Sequence, residues 1–285
     1  MAHDPTQSDP SPQDSASPGS PGPGQPQPGG GSAATASTDT AGRIRIVLVG
    51  TQHPGNIGAA ARAMLTTGLA RLALVAPRHF PHAEAMAMAA GADSVLEQAS
   101  IHPDLADAVA DCRLVLGCTA RDRRIALQQL APGEAAAQIV EAAQAADVAL
   151  VFGRERTGLE NSELQLCHRA VHIPSNPDYS SLNLAAAVQV LSYELRLALL
   201  EAGQAGPVPA APNGDRLASH AELEGFFGQL HDTLNEIDFH KGRNPDAAMR
   251  KLRRIFLRTD LNAGEVRLLR GVLADCQRMA RLAQD

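Results

Sequence analysis

Two polar segments in the middle of the chain follow short apolar runs, and their residue types suit the binding of a small molecule through backbone groups. The segment GRERTG, from Gly153, follows the run VALVF, and the segment PSNPDYSS, from Pro174, follows AVHI. Such runs are typical of buried parallel strands. Because ligands of open parallel sheets bind beyond the carboxyl ends of the strands, both segments are predicted to line a ligand site.

A third candidate loop, TQHPGNIG, follows the run IRIVLVG and enters a helix that carries Arg62. It is not a P-loop, because Gly55 is not followed by Lys and Ser or Thr, and its glycine spacing does not fit the dinucleotide pattern GxGxxG. An unrelated nucleotide-binding α/β protein is therefore not supported. What remains is a strand, loop and helix whose first turn offers free N–H groups to an anion. Asn56 and Arg62, six residues apart, need not share a helix face.

Five apolar runs alternate with helical stretches, which indicates βαβ units, a mostly parallel sheet and the α/β fold class. The strands are expected at IRIVLVG, LALVAP, RLVLG, VALVF and AVHI. The loop after RLVLG is expected to contain Cys118, Thr119 and Ala120, so it adds small residues to the same edge of the sheet.

The three loops also carry a family resemblance. NIGAAARAM from Asn56, FGRERTGL from Phe152 and IPSNPDYSSLNLAAAVQVLSYE from Ile173 resemble the three motifs of the SpoU (SPOUT) RNA 2′-O-ribose methyltransferases. VFGRER, NPDYSSLNLA and the late KLRRIF are most similar to the bacterial branch that methylates position 32 of the tRNA anticodon loop. The resemblance covers about Arg43 to the C-terminus. It implies a trefoil-knotted fold, S-adenosylmethionine as methyl donor, tRNA as substrate and a homodimer.

The resemblance further implies that the backbone of the knot loops holds the cofactor, which small residues favour because they permit close approach. The residues concerned are Cys118, Thr119, Ala120, Gly153, Ile173, Ser180, Ser181 and Leu182. In this family Arg62 is associated with activation of the ribose hydroxyl. Since a guanidinium stays protonated, we expect Arg62 to bind the adjacent phosphate and to stabilise the developing alkoxide. Ser181 is expected to bond the same hydroxyl or to orient the arginine.

Asn56, Glu155 and Asn183 occupy motif positions that are expected to hold Arg62 and the loops in place. Glu155 has two interpretations. As a general base it would need a pKa raised towards neutrality; the alternative is a salt bridge that braces the loop, since Arg154 and Arg156 flank it. His53 lies in the first loop, where an RNA contact and no specific role are equally compatible with the sequence.

Composition and cysteine spacing bear on whether the protein holds a metal, spans a membrane or is secreted. The chain has 285 residues, a net charge of −6 and no tryptophan. Its four cysteines form no CxxC pair and no cluster with histidines at metal-ligand spacing, which predicts no metal site and suits a reducing cytoplasm. No apolar run reaches the roughly 20 residues of a membrane span, and the N-terminus lacks a secretory pattern. We therefore expect a cytoplasmic location.

Four regions are predicted along the chain: a disordered tail (1–42), a methyltransferase domain (43–202), a linker (203–218) and a small helical RNA-binding extension (219–285). The tail is rich in Pro, Gly and Ser and cannot bury enough apolar surface to fold. It is either a partner-binding segment or a dispensable extension. The extension is expected to begin at a capping box formed by Ser219 and Glu222.

A basic segment in this extension is either a solvated helix face or a footprint for RNA phosphates. Its members, proposed with Arg62 as RNA contacts, are Lys241, Arg243, Arg250, Lys251, Arg253, Arg254 and Arg258. The four phenylalanines of the extension are expected in its core rather than stacked on bases. They are Phe226, Phe227, Phe239 and Phe256.

The helix from Leu182 to about Leu200 is apolar around much of its circumference, with Ser180 or Ser181 as its expected N-cap. It either packs in a homodimer interface or is buried within its own subunit. Two rival functions remain: a sister methyltransferase acting on another tRNA position or on ribosomal RNA, and a non-catalytic RNA-binding paralogue. The intact motif positions speak against the second.

Overall fold

The computed structural model describes residues 40–120, 127–205 and 216–282. The predicted tail up to residue 39 and residues 206–215 of the predicted linker lie outside them. The described strands are β1 (Ile44–Val49), β2 (Arg71–Val75), β3 (Ser100–His102), β4 (Leu114–Cys118), β5 (Gln129–Leu130), β6 (Val148–Phe152) and β7 (Arg169–Val171). The described helices are α1 (Pro54–Thr66), α2 (Ala83–Ala89), α3 (Asp93–Glu97), α4 (Leu105–Val109), α5 (Pro132–Ala143), α6 (Asn161–Gln165), α7 (Leu184–Ala205), α8 (His220–Glu236), α9 (Pro245–Phe256) and α10 (Ala263–Leu282).

The seven strands form one sheet in the order β3-β2-β1-β6-β4-β7-β5, and each neighbouring pair is parallel. The predicted α/β class and parallel sheet are thus confirmed. The carboxyl ends of β1, β6, β4 and β7 lie next to one another, so the three motif loops and the loop after β4 meet along one edge.

Strands β1 and β6 are buried on both faces, which explains their continuous apolar sequences. Alternate residues face two separate cores. Ile46 and Leu150 pack in a core with α1, α5 and α7, whereas Val47 and Ala149 pack in a second core with α4 and α6. The sheet is therefore the middle layer of three and gives the loops at its edge a rigid support.

Strand β7 lies between β4 and β5, which precede it in the chain. The expected knot depends on how the chain that leaves β7 passes the connection from β4 to β5. Residues 121–126 of that connection lie outside the described residues.

The helical region after residue 216 packs against the α/β layers through its first turn. The capping box is confirmed, since Ser219 Oγ accepts from the Glu222 N–H and the Glu222 carboxylate accepts from the Ser219 N–H. The N–H groups of His220 and Ala221 donate to the carbonyls of Cys112 and Ala110, both at 3.0 Å. The start of α8 is thus hydrogen-bonded to the segment that follows α4.

Several local expectations were incomplete. The sequence showed no signal for β3 and β5, which have three and two residues and are too short for a hydrophobic period. Phe226 and Phe227 are buried and Phe256 packs against them, as expected, but Phe239 is 48% exposed because it follows the end of α8.

Candidate active site

The loops at the carboxyl edge enclose a cavity of about 240 Å³. All eight residues predicted to bind the cofactor line it: Cys118, Thr119, Ala120, Gly153, Ile173, Ser180, Ser181 and Leu182. Sequence reasoning missed further lining residues on these loops and in the adjoining ends of β6 and α7: Phe152, Arg154, Arg156, Thr157, Gly158, Leu184 and Ala187. Their position beside the motif residues was the available signal. The lining combines apolar side chains with backbone polar groups, as is usual for sites of small organic ligands.

Gly153 allows the loop after β6 to fold back tightly. A Cβ atom at this position would lie 2.1 Å from the backbone of Gly158 and Leu159. The turn is closed by two backbone hydrogen bonds between Arg154 and Gly158, of 3.2 and 2.8 Å, and Gly158 itself has a φ of +67°. Both glycines are therefore required by the backbone of the pocket wall.

Glu155 fastens this loop to the loop after β1. Its carboxylate accepts the N–H groups of Gln52 and His53 at 3.1 Å each and the Asn56 side-chain amide at 3.0 Å. Burial raises the pKa of the Glu155 carboxyl, but the hydrogen bonds from Asn56, His53 and Gln52 together hold it below its ordinary value. A general base would need the opposite shift, so the geometry favours a positioning role.

Asn183 joins the third motif to this network. Its side-chain amide donates to Asn56 Oδ1 at 3.1 Å, and its Oδ1 accepts the N–H of Ala185 at 2.9 Å. The expected N-cap at Ser180 or Ser181 is therefore wrong, because α7 begins at Leu184 and Asn183 provides the cap. One chain of hydrogen bonds thus connects all three motifs.

The arginines beside Glu155 do not brace it by a salt bridge. Arg154 instead pairs with Glu163 of α6 at 2.9 Å, and its guanidinium passes over Gly50, where a Cβ atom would lie 2.7 Å from Arg154 Nε. Arg156 is exposed at the mouth of the cavity. The loop is therefore braced through Glu155, as the sequence suggested, but the hydrogen-bond donors are uncharged: two backbone N–H groups and the Asn56 amide.

Arg62 and Ser181 do not come together at the cavity within one chain. Ser181 is exposed and lines the cavity, whereas Arg62 is exposed on α1 and is not among the residues that line it. At about 100° per residue, Arg62 points about 120° away from Asn56 around the helix axis. Since Asn56 faces Glu155, Arg62 faces the outer side of α1.

Cys118 is an unreactive part of the lining. Burial raises the pKa of its thiol to about 12, so the group is uncharged at neutral pH. The described residues contain no group of His, Cys, Asp and Glu side chains able to hold a metal ion. No described helix combines the length and the apolar composition of a membrane span.

Six of the seven basic residues of the helical region are exposed: Lys241, Arg243, Arg250, Lys251, Arg254 and Arg258. Arg253 differs, and its placement argues against the predicted phosphate contact. Its guanidinium pairs with Glu224, lies 4.3 Å from the centre of the Phe227 ring and donates to the Gln165 carbonyl at 3.3 Å. The sequence could not separate it from its neighbours, because only packing shows which face of α9 is covered.

The fold and the three joined motifs agree with comparisons against known proteins. The SpoU rRNA Methylase family matches residues 43–193, more than half of the chain, and the chain belongs to this family. Residues 221–285 match the C-terminal domain of the tRNA methyltransferase TrmJ. The resemblance predicted from the motifs is thereby confirmed.

Individual relatives are similar over nearly their whole length. A tRNA (cytidine/uridine/adenosine-2'-O-)-methyltransferase TrmJ of Pseudomonas aeruginosa (strain UCBPP-PA14) is 47% identical, over 84% of this chain and 95% of the relative. A tRNA (cytidine/uridine-2'-O-)-methyltransferase TrmJ of Yersinia pestis (strain Pestoides F) is 44% identical, over 85% of this chain and 94% of the relative. The crystal structure of TrmJ from Z. mobilis ZM4 is 38% identical and superimposes with a TM-score of 0.70, over 81% of this chain and 98% of that chain.

Proposed function

We propose that this protein is a tRNA 2′-O-ribose methyltransferase that uses S-adenosylmethionine and acts in the cytoplasm. The observation that carries the proposal is the hydrogen-bonded connection of Asn56, Glu155 and Asn183 around a cavity lined by small residues. The relatives named above, which carry this activity in their names, support it.

The lining of the cavity fits S-adenosylmethionine. Loops of small residues leave main-chain donors and acceptors open to an adenine and an amino-acid group, and Phe152, Ile173 and Leu182 offer apolar contact. When bound, the cofactor supplies an electrophilic methyl group on a sulfonium sulfur. The Gly153 turn, Ser180 and Ser181 would hold it beside the ribose.

The protein's own residues then act on the ribose. In the homodimer proposed below, the guanidinium of the partner subunit's Arg62 binds a neighbouring phosphate and stabilises negative charge on the 2′-oxygen, while Ser181 orients the hydroxyl. Glu155, Asn56 and Asn183 position the loops and touch neither reactant.

We propose position 32 of the anticodon loop as the target, the position that the resemblance implies. Cytidine and uridine are the expected bases; the Pseudomonas relative also has adenosine in its name, so adenosine is included in the test. The exposed basic residues of α9 and of the loops before and after it are the proposed contacts to tRNA phosphates.

The protein is proposed to act as a homodimer. Tyr193, Leu197 and Leu200 form an apolar stripe on α7, with exposures of 55%, 39% and 45%. The opposite face of the same helix packs in the core through Val188 and Leu191. One face of this apolar helix is therefore buried within its own subunit, and the exposed stripe on the other face supports the proposed homodimer, since an exposed apolar patch of this kind is typical of an interface.

The test is to incubate the protein with labelled S-adenosylmethionine and unmodified tRNAs that carry C, U or A at position 32, and then to map the methylated nucleotide. A single 2′-O-methyl group at position 32 is expected. Methylation at another tRNA position or on ribosomal RNA would support the sister-enzyme alternative, and tRNA binding without methyl transfer would support a binding-only paralogue.

A further inference from the structure

The connection from β2 to α2, residues 76–82 (APRHFPH), lies at the same edge of the sheet as the cavity and has no part in the proposed mechanism. β2 pairs with β1, and β1 pairs with β6, whose loop lines the cavity. Because neighbouring strands are about 4.8 Å apart, the ends of β2 and β6 are separated by about 10 Å along the rim. An RNA strand that enters the cavity would pass this loop.

The loop is held firmly in place. The Arg78 N–H donates to the Thr51 carbonyl in the first-motif loop at 3.0 Å. Phe80 packs against the main core, and the His82 ring accepts the N–H of Glu84 at 3.2 Å as the cap of α2. The side chains that point outward are thus presented from a fixed backbone, joined directly to the active-site loop.

Those outward side chains are basic or potentially basic. Arg78, His79 and His82 are exposed, and His53 is exposed on the adjoining loop. The Arg78 guanidinium has no ion-pair partner within the described part of the chain, unlike Arg154 and Arg71, which are paired with carboxylates. A guanidinium can bind a phosphate group through two parallel hydrogen bonds. The exposed, unpaired guanidinium of Arg78 is therefore suited to bind a phosphate beside the proposed ribose site.

We propose that Arg78, flanked by His79, His82 and His53, binds the RNA phosphodiester backbone beside the methylated nucleotide. The inference rests on the proposed function and adds a phosphate contact that is separate from the basic residues of the C-terminal helices. Its purpose is positional: a phosphate held at this rim fixes the direction in which the strand crosses the cavity.

The test compares Arg78→Gln with Gln98→Glu. Each substitution makes the net charge more negative by one, but Gln98 is exposed at the opposite, amino edge of the sheet, just before β3. In Arg78→Gln we expect several-fold weaker tRNA binding and a salt dependence of log K that is shallower by about 1. Binding of S-adenosylhomocysteine should stay at the wild-type value. Gln98→Glu should leave all three quantities unchanged.

A third variant, Arg78→Lys, keeps the charge but not the two parallel hydrogen bonds, so it should keep the wild-type salt dependence and part of the tRNA affinity. Equal tRNA affinity and equal salt dependence in Arg78→Gln and Gln98→Glu would overturn the proposal, and so would a salt dependence in Arg78→Lys as shallow as that in Arg78→Gln. Circular dichroism checks that the variants fold. The binding comparison is independent of turnover: absence of methylation by the wild type would refute the proposed function, whereas unchanged binding by Arg78→Gln would refute this contact alone.

Discussion

At the scale of single residues, the carboxylate of Glu155 is used to organise backbone rather than to move a proton. It accepts from two main-chain N–H groups and one side-chain amide, all from the loop and helix that follow β1. Hydrogen bonds to the ionised form stabilise that form, which is why the pKa of this half-buried group is lowered despite its burial. The first and second motifs therefore depend on each other for their shape.

We predict that Glu155→Gln lowers the free energy of unfolding by about 1–2 kcal/mol at pH 7, because an amide cannot accept all of these donors. A depressed folded-state pKa contributes stability that is present above the unfolded value of about 4.5 and is lost as pH falls through the folded value. The difference from wild type, measured by urea unfolding, should thus be constant from pH 6 to 8 and shrink below pH 4.5. Glu97→Gln, at an exposed site on α3, is the control. A difference that falls as the pH rises from about 5 to 7 would mean that Glu155 titrates near neutrality after all.

At the scale of elements, α9 has two functions that its sequence does not separate. Arg254 and Arg250 point to solvent, whereas Arg253 connects α8, through Glu224, to the end of α6, through the Gln165 carbonyl. α6 also carries Glu163, which holds the pocket residue Arg154. The helical region is therefore connected to the wall of the cavity through α6, which contacts Arg253 at one residue and Arg154 at another.

Arg253→Ala should destabilise the protein by about 2 kcal/mol, since it leaves Glu224 without its partner and removes the guanidinium from the Phe227 ring. Arg254→Ala, one residue further along the same helix, should change the stability by less than about 0.5 kcal/mol and should weaken tRNA binding instead. Thermal unfolding and tRNA titration of both variants provide the comparison. If both variants changed stability and tRNA affinity by the same amounts, Arg253 and Arg254 would not have the different roles described here.

At the scale of the whole molecule, Arg62 does not line the cavity of its own chain, so its proposed role requires a second copy of the chain. Arg62 lies on the outer side of α1, which packs against α7, and α7 carries the exposed apolar stripe. A two-fold dimer built on this stripe would bring the outer side of α1 close to a second copy. We therefore expect Arg62 to serve the cavity of the partner subunit.

Mixed dimers test this expectation. Arg62→Ala and Gly153→Ala should each be inactive alone, the second because its Cβ atom displaces the pocket wall. In a dimer with one subunit of each kind, an Arg62 that acts across the interface restores one of the two sites, so methylation of tRNA should reappear. Purified mixed dimers without activity would place Arg62 in its own subunit. The control is a mixed dimer of Arg62→Ala and wild type, which should retain activity.

The sequence alone was sufficient to predict the α/β class and the meeting of the motif loops at one edge of the sheet, where the eight residues that the family resemblance implied as cofactor contacts line the cavity. The reason is physical: short apolar runs specify buried parallel strands, and the carboxyl ends of adjacent parallel strands have to meet. The capping box at Ser219 was equally readable, because its partners are three residues apart.

Tertiary structure decided what depends on side-chain direction and on partners distant in the chain. Glu155 finds Asn56, 99 positions earlier, instead of the arginines beside it, and Arg253 turns inward while Arg254 does not. Arg62, whose motif predicted a place in the active site, faces the outside of its own chain. Composition and spacing determine which residues form a helix or a loop; only the packing of elements determines which neighbour each polar side chain meets.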